Sequence, residues 1–516
     1  MSSSTDNKLR LAEVVAALSL ATDMGTGQPL ERGLRTCLLA FRLGQLLGLD
    51  EKQLHTVYYV ALLRFVGCTA DAVHLKDIFG DELVAQAQVA TVELLPLPML
   101  AAIIRHAGAE FPLSRRLQHI AYGFAKGVER TREAEVAHCE VSRNIAQRLG
   151  LGTEVDIGLR QIFERWDGRG PGELRGDDLC VAIRLVHVAQ DAEVFHRVNG
   201  DQTMLAVLHT RTGGSYDPLI VQHFVQHYGE LLAEIEHESV WEIVLDLEPE
   251  PRPYMTDEQL DTAARAIADF SDLRSPYTRT HSPAVAELAF TAAVNCGLTA
   301  DEARTVRLAA LLHDLGRTAI SLAIWDKPSA LTKAEWERVR LYPYYTERIL
   351  SRSTQLAPFG ALAGLHRERL DSSGYHRGLP EMMQPPLARL LAAADTYQSK
   401  IEARAYRPAL SPESAAHELV QQVRAGKLDA QAVDAVLGNR ATSPRANRPS
   451  NLSEREIEVL QLIAQGYTTR NIAESLFISP KTADHHIQHI YNKIGVSTRA
   501  AATLFAMQHD LLSTAK

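Results

Sequence analysis

The 516-residue chain has only five cysteines, and no two of them stand in a C-x-x-C spacing. Cys37, Cys68, Cys139, Cys180 and Cys296 are scattered and odd in number. That argues against a disulfide framework or a cysteine-built zinc site and points to a reducing compartment. No apolar run approaches the ~18 residues a membrane span needs. The start, Met1-Ser2-Ser3-Ser4-Thr5-Asp6-Asn7, lacks a basic stretch followed by an apolar core, so it does not read as a signal peptide. The expectation is a cytoplasmic protein with no membrane partner. Positive charge is also short: 54 Lys and Arg face 63 Asp and Glu, a formal net charge of −9. A chain-wide nucleic-acid coat is therefore excluded, and any nucleic-acid contact must be local. Aromatic residues make up 6% of the chain, and alternating runs of Val, Ile and Thr are scarce.

What is abundant is Ala and Leu at helical spacing, as in Leu34, Cys37, Leu38 and Phe41 or along residues 303–312. An all-α protein is expected, with short extended pieces around 203–210. At roughly 100–200 residues per domain, the length implies about three domains. Residues 248–254 hold three prolines, which no helix interior tolerates, and read as a boundary. Residues 438–451 are polar and full of breakers, and read as a flexible linker. The expected division is 1–250, 251–440, a linker at 441–450, and 451–516.

A faint internal repeat runs through the first two parts. Residues 62–67 (Leu-Leu-Arg-Phe-Val-Gly) echo 311–316 (Leu-Leu-His-Asp-Leu-Gly), and the stretch from Glu164 to Gly170 echoes that from Glu368 to Gly374. Each is followed by an Ala-rich helix bearing one Asp, Asp191 or Asp395.

The last part opens with Ser453 as N-cap and Glu456 as its capping-box partner, and the first helix is expected to end at Gly466. A second helix is expected from Thr469 to Phe477. A third starts at Ser479-Pro480 and runs to Ile494 before Gly495. It presents Lys481, Thr482, His485, His486, Gln488, His489 and Lys493, nearly all able to hydrogen-bond. Two helices and a tight turn leading into a polar helix make a helix-turn-helix, whose first turn meets base edges while amides and lysines meet phosphates. The pattern closely resembles the LuxR-type helix-turn-helix over about 65 residues. The matching positions include Leu452-Ser453, Arg455-Glu456, Gly466, Asn471-Ile472-Ala473, Ile478-Ser479, Thr482, Lys493-Ile494-Gly495-Val496 and Arg499. The resemblance implies double-stranded DNA as partner, with Ser479, Lys481, Thr482, His485, His486, Gln488, His489 and Lys493 at the interface. One departure is Asp484, where the family usually has Lys or Arg. Six basic and six acidic residues over 451–516 leave no net charge, so one copy should bind DNA weakly and a homodimer on paired half-sites is expected.

In the middle part, His313-Asp314-Leu315-Gly316-Arg317 follows an apolar helical run. His281-Ser282 lies upstream, with His366, Glu368, Asp371, Gly374-Tyr375 and Asp395 downstream. This ordered set resembles the HD superfamily of metal-dependent phosphohydrolases over about 265–440, and within it the HD-GYP branch, which hydrolyses cyclic di-GMP. The resemblance implies one divalent metal ion held by His281, His313, Asp314 and Asp395, with His366 added to the candidate ligands. Asp314 and Arg317 would be catalytic, Arg317 standing where the family has a phosphate-holding Lys. The second-metal equipment departs from the branch. Tyr342-Pro343 replaces His-Pro, His366-Arg367 replaces His-His, and residues 371–376 read Asp-Ser-Ser-Gly-Tyr-His rather than Asp-Gly-x-Gly-Tyr-Pro. A phenol is a poor ligand at neutral pH, and the guanidinium of Arg367 opposes a second cation.

The first part reads as a degenerate copy. Arg64-Phe65 stands at the His-Asp pair and Phe163-Glu164 precedes the glycine-rich loop, so only Asp191 echoes a ligand and no catalysis is expected there. His55 and His138 are expected to be structural. The whole then reads as two tandem HD-type helical domains plus a small C-terminal helix-turn-helix bundle. The favoured function is a DNA-binding transcriptional regulator whose HD-GYP-like domains sense a ligand, with a nucleotide in view, or dimerise. The alternatives are a metal-dependent phosphohydrolase coupled to DNA binding and an interaction scaffold.

Overall fold

Helices supply the regular structure throughout the computed structural model, which describes residues 8–70, 72–92, 96–109, 111–438, 450, 452–509 and 511–512. Among the described residues, β contacts are isolated bridges such as Arg10 with Tyr254. The chain is all-α, as its composition implies. It forms two compact units that divide between Leu260 and Asp261. The proline-rich stretch lies between the helices Trp241–Asp246 and Asp257–Asp272, ahead of that division. The linker expected at 441–450 lies, apart from Ser450, outside the described residues. The extended pieces expected around 203–210 are not found. Residues Asp201–Arg211 form a helix because Met204 and Leu208, one turn apart, are both buried on its inner face.

The two units repeat one another element by element. Helices Arg32–Leu46 and His281–Asn295 both have 15 residues, and Glu51–Leu63 and Ala300–Leu312 both have 13. Each pair leads into a short 3-10 turn, Val66–Ala70 or Leu315–Ala319. The shift is 249 positions from Arg32 to His281 and again from Val66 to Leu315. The residue before each first helix, Glu31 or Thr280, has a left-handed backbone with φ of 69° or 66°. In each unit a buried Asp ten residues upstream takes a backbone N–H at the start of that helix, Asp23 from Gly33 at 3.2 Å and Asp272 from Ser282 at 2.8 Å. Burial pushes both carboxyls up to about 8, against the pull of neighbouring Arg32 or His281.

Further along the repeat changes step. A Cβ on Gly67 would meet the carbonyl of His138 at 2.2 Å, and one on Gly316 would meet that of Tyr342 at 2.1 Å, so His138 and Tyr342 are counterparts. His138 lies 71 positions after Gly67, Tyr342 only 26 after Gly316; unit 1 therefore carries 45 more residues here. The glycine-rich loops match again. A Cβ on Gly170 or Gly374 would lie 2.6 Å from the Cα of Glu164 or Glu368. That crowding explains why glycine occupies both positions.

In unit 2, helix His281–Asn295 packs against Ala300–Leu312 and Pro386–Ile401. Ala289, Ala292, Ala293 and Ala310 are fully buried where these helices meet. Small side chains let the backbones approach, which brings the ends of all three helices together at one point. The C-terminal bundle has its own core of Val459, Leu460, Ile463, Ile472, Ile487 and Ile490.

Candidate metal centre and DNA-reading helix

The point where those helices converge is polar. His281 opens one helix, His313 and Asp314 follow the next, and Asp395 lies on the third; all four are fully buried, as is His366. His281 Nε2 lies 3.3 Å from Asp395 Oδ1 and 3.8 Å from Asp314 Oδ2. His313 Nε2 lies 3.4 Å from Asp314 Oδ1 and 3.8 Å from Asp395 Oδ1. His281, His313 and Asp314 each offer a ligand atom within 4.8 Å of the others.

Each histidine has its other nitrogen tied back. His281 Nδ1 is 2.8 Å from Glu402 Oε2, and His313 Nδ1 is 2.6 Å from the Ala310 carbonyl. A proton held on Nδ1 by these acceptors turns the Nε2 lone pairs toward the centre. There, His281 Nε2, His313 Nε2 and both Asp314 oxygens have no hydrogen-bond partner, while Asp395 Oδ2 is turned to Arg367. Buried polar atoms are almost always paired, so four unpaired ones on three neighbouring residues fit a cation. Metal bonds of about 2.0–2.2 Å place neighbouring ligand atoms roughly 3–3.5 Å apart, close to the spacings seen here. The residues present therefore suit a divalent metal. Burial alone would discharge His281, but Glu402, Asp395 and Asp314 outweigh it and hold its pKa up at about 10, so a cation would have to displace the Nε2 proton to reach the lone pair. Burial likewise works against charge on Asp314, yet His313, Arg317 and His281 drive its pKa well below the carboxylate range.

The side away from this cluster is arranged differently. His366 Nδ1 faces the Ala363 carbonyl at 2.6 Å, so its Nε2 accepts from the Tyr342 hydroxyl at 2.7 Å. Arg367 Nε in turn donates to that hydroxyl at 2.8 Å. The Arg367 guanidinium also reaches Asp395, with Nη2 3.2 Å from Oδ1 and Nη1 3.2 Å from Oδ2. Burial, with His313 and Arg367 nearby, lowers His366 to about 3, so the ring is neutral. His366 thus stands 3.8 Å from Asp314, with its inward nitrogen already engaged by Tyr342. Arg317 lies over the Trp325 ring at 3.7 Å, with Nε 3.4 Å from Asp314 Oδ2.

Two participants escaped the sequence reading. Glu402 lies seven residues after Asp395, at the C-cap of the helix that carries Asp395, a spacing close to two turns that could have flagged it. In unit 1, Arg32 occupies the place of His281, a match found only by carrying the 249-residue shift back through the chain. The structure also refines the degenerate copy: with Glu164 matching Glu368, the counterpart of His366 is Ile162, and Phe163 matches Arg367.

In the C-terminal bundle, helices Glu454–Ala464, Thr469–Ser475 and Pro480–Ile494 follow one another. Ser453 and Glu456 form the capping box, and Ser479 Oγ accepts from the Thr482 N–H at 3.1 Å. Gly495, at φ 71°, closes the third helix. Ala483, Ile487 and Ile490 face inward, while Lys481, Thr482, Asp484, His485, Gln488 and His489 are exposed; His486 is half-buried. The His485 and His489 rings meet edge-on at 4.5 Å. Lys493 is drawn to the far end of the helix, where Nζ donates to Glu456 Oε2 at 2.7 Å. Phe477, in the turn before the third helix, is left-handed at φ 54° and almost fully exposed.

These features define an HD domain joined to a helix-turn-helix, and family models agree. Residues 261–432 match the HD domain, and residues 450–506 match the luxR family of bacterial regulatory proteins. The chain therefore carries an HD domain and, following it, a luxR-family DNA-binding domain. Among curated proteins it is similar to 3′3′-cGAMP-specific phosphodiesterase 3 of Vibrio cholerae, with 28% identity over 409 residues, 78% of this chain and 89% of that protein. Similarity to the cyclic di-GMP phosphodiesterase response regulator RpfG of Xanthomonas campestris is 35% over 36% of this chain and 48% of that protein. The transcriptional regulatory protein LiaR of Bacillus subtilis is 31% identical over 31% of this chain and 80% of its own length. A crystal structure of a cyclic GMP-AMP specific phosphodiesterase of V. cholerae superimposes with a TM-score of 0.60 at 25% identity, covering 85% of this chain and 99% of that one. Among the described residues, no single helix is long and apolar enough to cross a membrane.

Proposed function

We propose that this chain is a transcriptional regulator whose HD domain senses a nucleotide phosphodiester at a site holding one divalent metal. His281, His313, Asp314 and Asp395 are the ligands of that metal, and Glu402 positions His281. A bound divalent metal supplies a Lewis acid and lowers the pKa of a coordinated water to about 7. The observation that carries the sensing role is Arg367. Its guanidinium pairs with Asp395 and, through Tyr342, engages His366, filling with fixed charge the side where a second cation would clamp the leaving oxygen. Arg317, steadied on Trp325, offers the ligand phosphate a forked donor. Lys481, Thr482, His485, Gln488 and His489 read DNA as part of a homodimer, with Ser479 holding the first turn of that helix; Lys493 braces the bundle through Glu456.

One experiment tests this reading. DNA affinity of the full chain is measured with and without 3′3′-cGAMP or cyclic di-GMP, beside a hydrolysis assay. A ligand-dependent change in DNA affinity without turnover is expected. The second reading, a one-metal phosphodiesterase, is favoured by the four unpaired ligand atoms of His281, His313 and Asp314 at the centre. Turnover that disappears in Asp314→Ala would establish that reading and remove the first.

A further inference from the structure

Unit 1 has lost the metal ligands but not the room above them. A cavity of about 520 Å³ opens at the equivalent point. Arg32 and Arg64, at the positions of His281 and His313, line its floor, with Phe65 at the position of Asp314. Ile78, Phe79 and Ile103, from the segment between Gly67 and His138 that is 45 residues longer than its counterpart, supply an apolar wall.

The two arginines are unusual for buried cations. Arg32 is 3% exposed, yet its guanidinium makes no hydrogen bond among the described residues, and Nε is buried without a partner. Its ion-pair partner, Glu193, stands 3.9 Å away and is held closer by Arg197, at 2.7 Å. Arg32 otherwise lies over the Phe65 ring at 4.1 Å. Arg64 is 8% exposed; its Nε goes to the Gln190 amide oxygen and Nη1 to the Ile162 carbonyl, and it has no ion pair among the described residues. By contrast, Arg165 and Arg211 at the rim are matched to Asp167 and Asp191. Burial lowers Arg64 to about 10, which still leaves it charged at neutral pH. Guanidinium groups buried with unsatisfied donors are costly unless an anion completes them. A phosphate does so with matched, paired hydrogen bonds.

We propose that unit 1 binds a nucleotide, its phosphate seated on Arg32 and Arg64 and its base against the apolar wall. The arginines deliver in fixed form the positive charge that a metal supplies in the HD site. The volume lies within the range of small-molecule sites and suits a mononucleotide or a compact dinucleotide. The inference goes beyond the proposed function and holds whether or not unit 2 takes a metal.

The test is titration calorimetry on the full-length chain carrying Asp314→Ala, with chelator present, so that the HD site does not contribute metal-dependent binding. GMP or cyclic di-GMP should bind at one site per chain, at least tenfold tighter than inorganic phosphate, which cannot use the wall. Arg64→Gln and Arg32→Gln should each weaken the nucleotide at least tenfold. Ala90→Trp, which fills the cavity from its lining and leaves both arginines in place, should do the same and decides the matter where an arginine variant fails to fold. The proposal is overturned if neither nucleotide binds, if all three variants bind like the parent, if phosphate binds as tightly as GMP, or if decanoate binds while nucleotides do not.

Discussion

Glu402 offers the sharpest test of the proposed metal centre, because it touches His281, a proposed ligand, rather than the metal itself. Its Oε2 lies 2.8 Å from His281 Nδ1, and Arg404 and Gln398 hold the carboxylate in place at 2.9 and 2.7 Å. The charge does two things: it fixes the proton on Nδ1, and it raises the basicity of the Nε2 that faces the centre. Glu402→Gln keeps the shape and removes the charge. The amide can also turn its NH2 toward Nδ1, which would force the proton onto Nε2 and aim it at the metal. Loss of such a partner typically costs 10–100-fold in metal affinity, or about 1.4–2.7 kcal/mol. Competition against a chelator of known affinity reads the change directly, with far-ultraviolet circular dichroism as the folding control. Wild-type affinity in a folded Glu402→Gln chain would refute the reasoning, since His281 would then need no orienting partner.

Four further outcomes are expected. Tyr342→His combined with Arg367→His removes the fixed charge beside Asp395 and restores imidazole there, so elemental analysis should find metal content rising from about one toward two per chain. Lys481→Ala or Gln488→Ala should weaken operator binding by about 1–3 kcal/mol where the side chain reads a base; unchanged binding in both would remove the recognition-helix assignment. Lys493→Ala should instead lower the melting temperature of the C-terminal bundle, because Lys493 is bound to Glu456. Glu456 is buried, which opposes its charge, but Lys493 and Ser453 win and hold its pKa down at about 2, against 4.5 ordinarily. A depressed carboxylate gives its stability above pH 4.5 and loses it as pH falls toward 2, so acid unfolding of the bundle should be shallower over that window in Glu456→Gln, by about 3 kcal/mol at most.

The helix-turn-helix was legible almost residue by residue, because local rules govern it: Ser453, Ser479, Gly466 and Gly495 each act on the turn in which they stand. Lys493 is the exception, since its partner lies 37 residues upstream and no local rule names it. The HD centre was legible as a list of residues, because an ordered set of His and Asp has few other uses. Its division into an open side and a closed side was not, because that depends on where side chains 25 and 28 residues apart meet. Tyr342, Arg367 and Asp395 form one hydrogen-bonded cluster that only the fold assembles. Helix Asp201–Arg211 failed for the opposite reason, its local pattern being too weak to stand against burial of Met204 and Leu208.

The two units solve one electrostatic problem in different ways. An HD fold brings the ends of three helices to a buried point, and whatever stands there must be compensated. In unit 2 the point is acidic, with Asp314 and Asp395 buried side by side, so it calls for cations, of which Arg367 is built in and a metal would be a second. In unit 1 Phe65 removes one acid and Arg32 and Arg64 replace two imidazoles, so the sign of the floor is reversed. A reversed floor can no longer hold a metal, but it can hold directly the anion that the metal would otherwise have received. The segment between Gly67 and His138, 45 residues longer than its counterpart in unit 2, contributes Ile78, Phe79 and Ile103 to the cavity over those arginines. Degeneration alone predicts a collapsed, neutral core at this point. An open cavity with two incompletely paired buried guanidinium groups is the signature of a site remade for a different ligand.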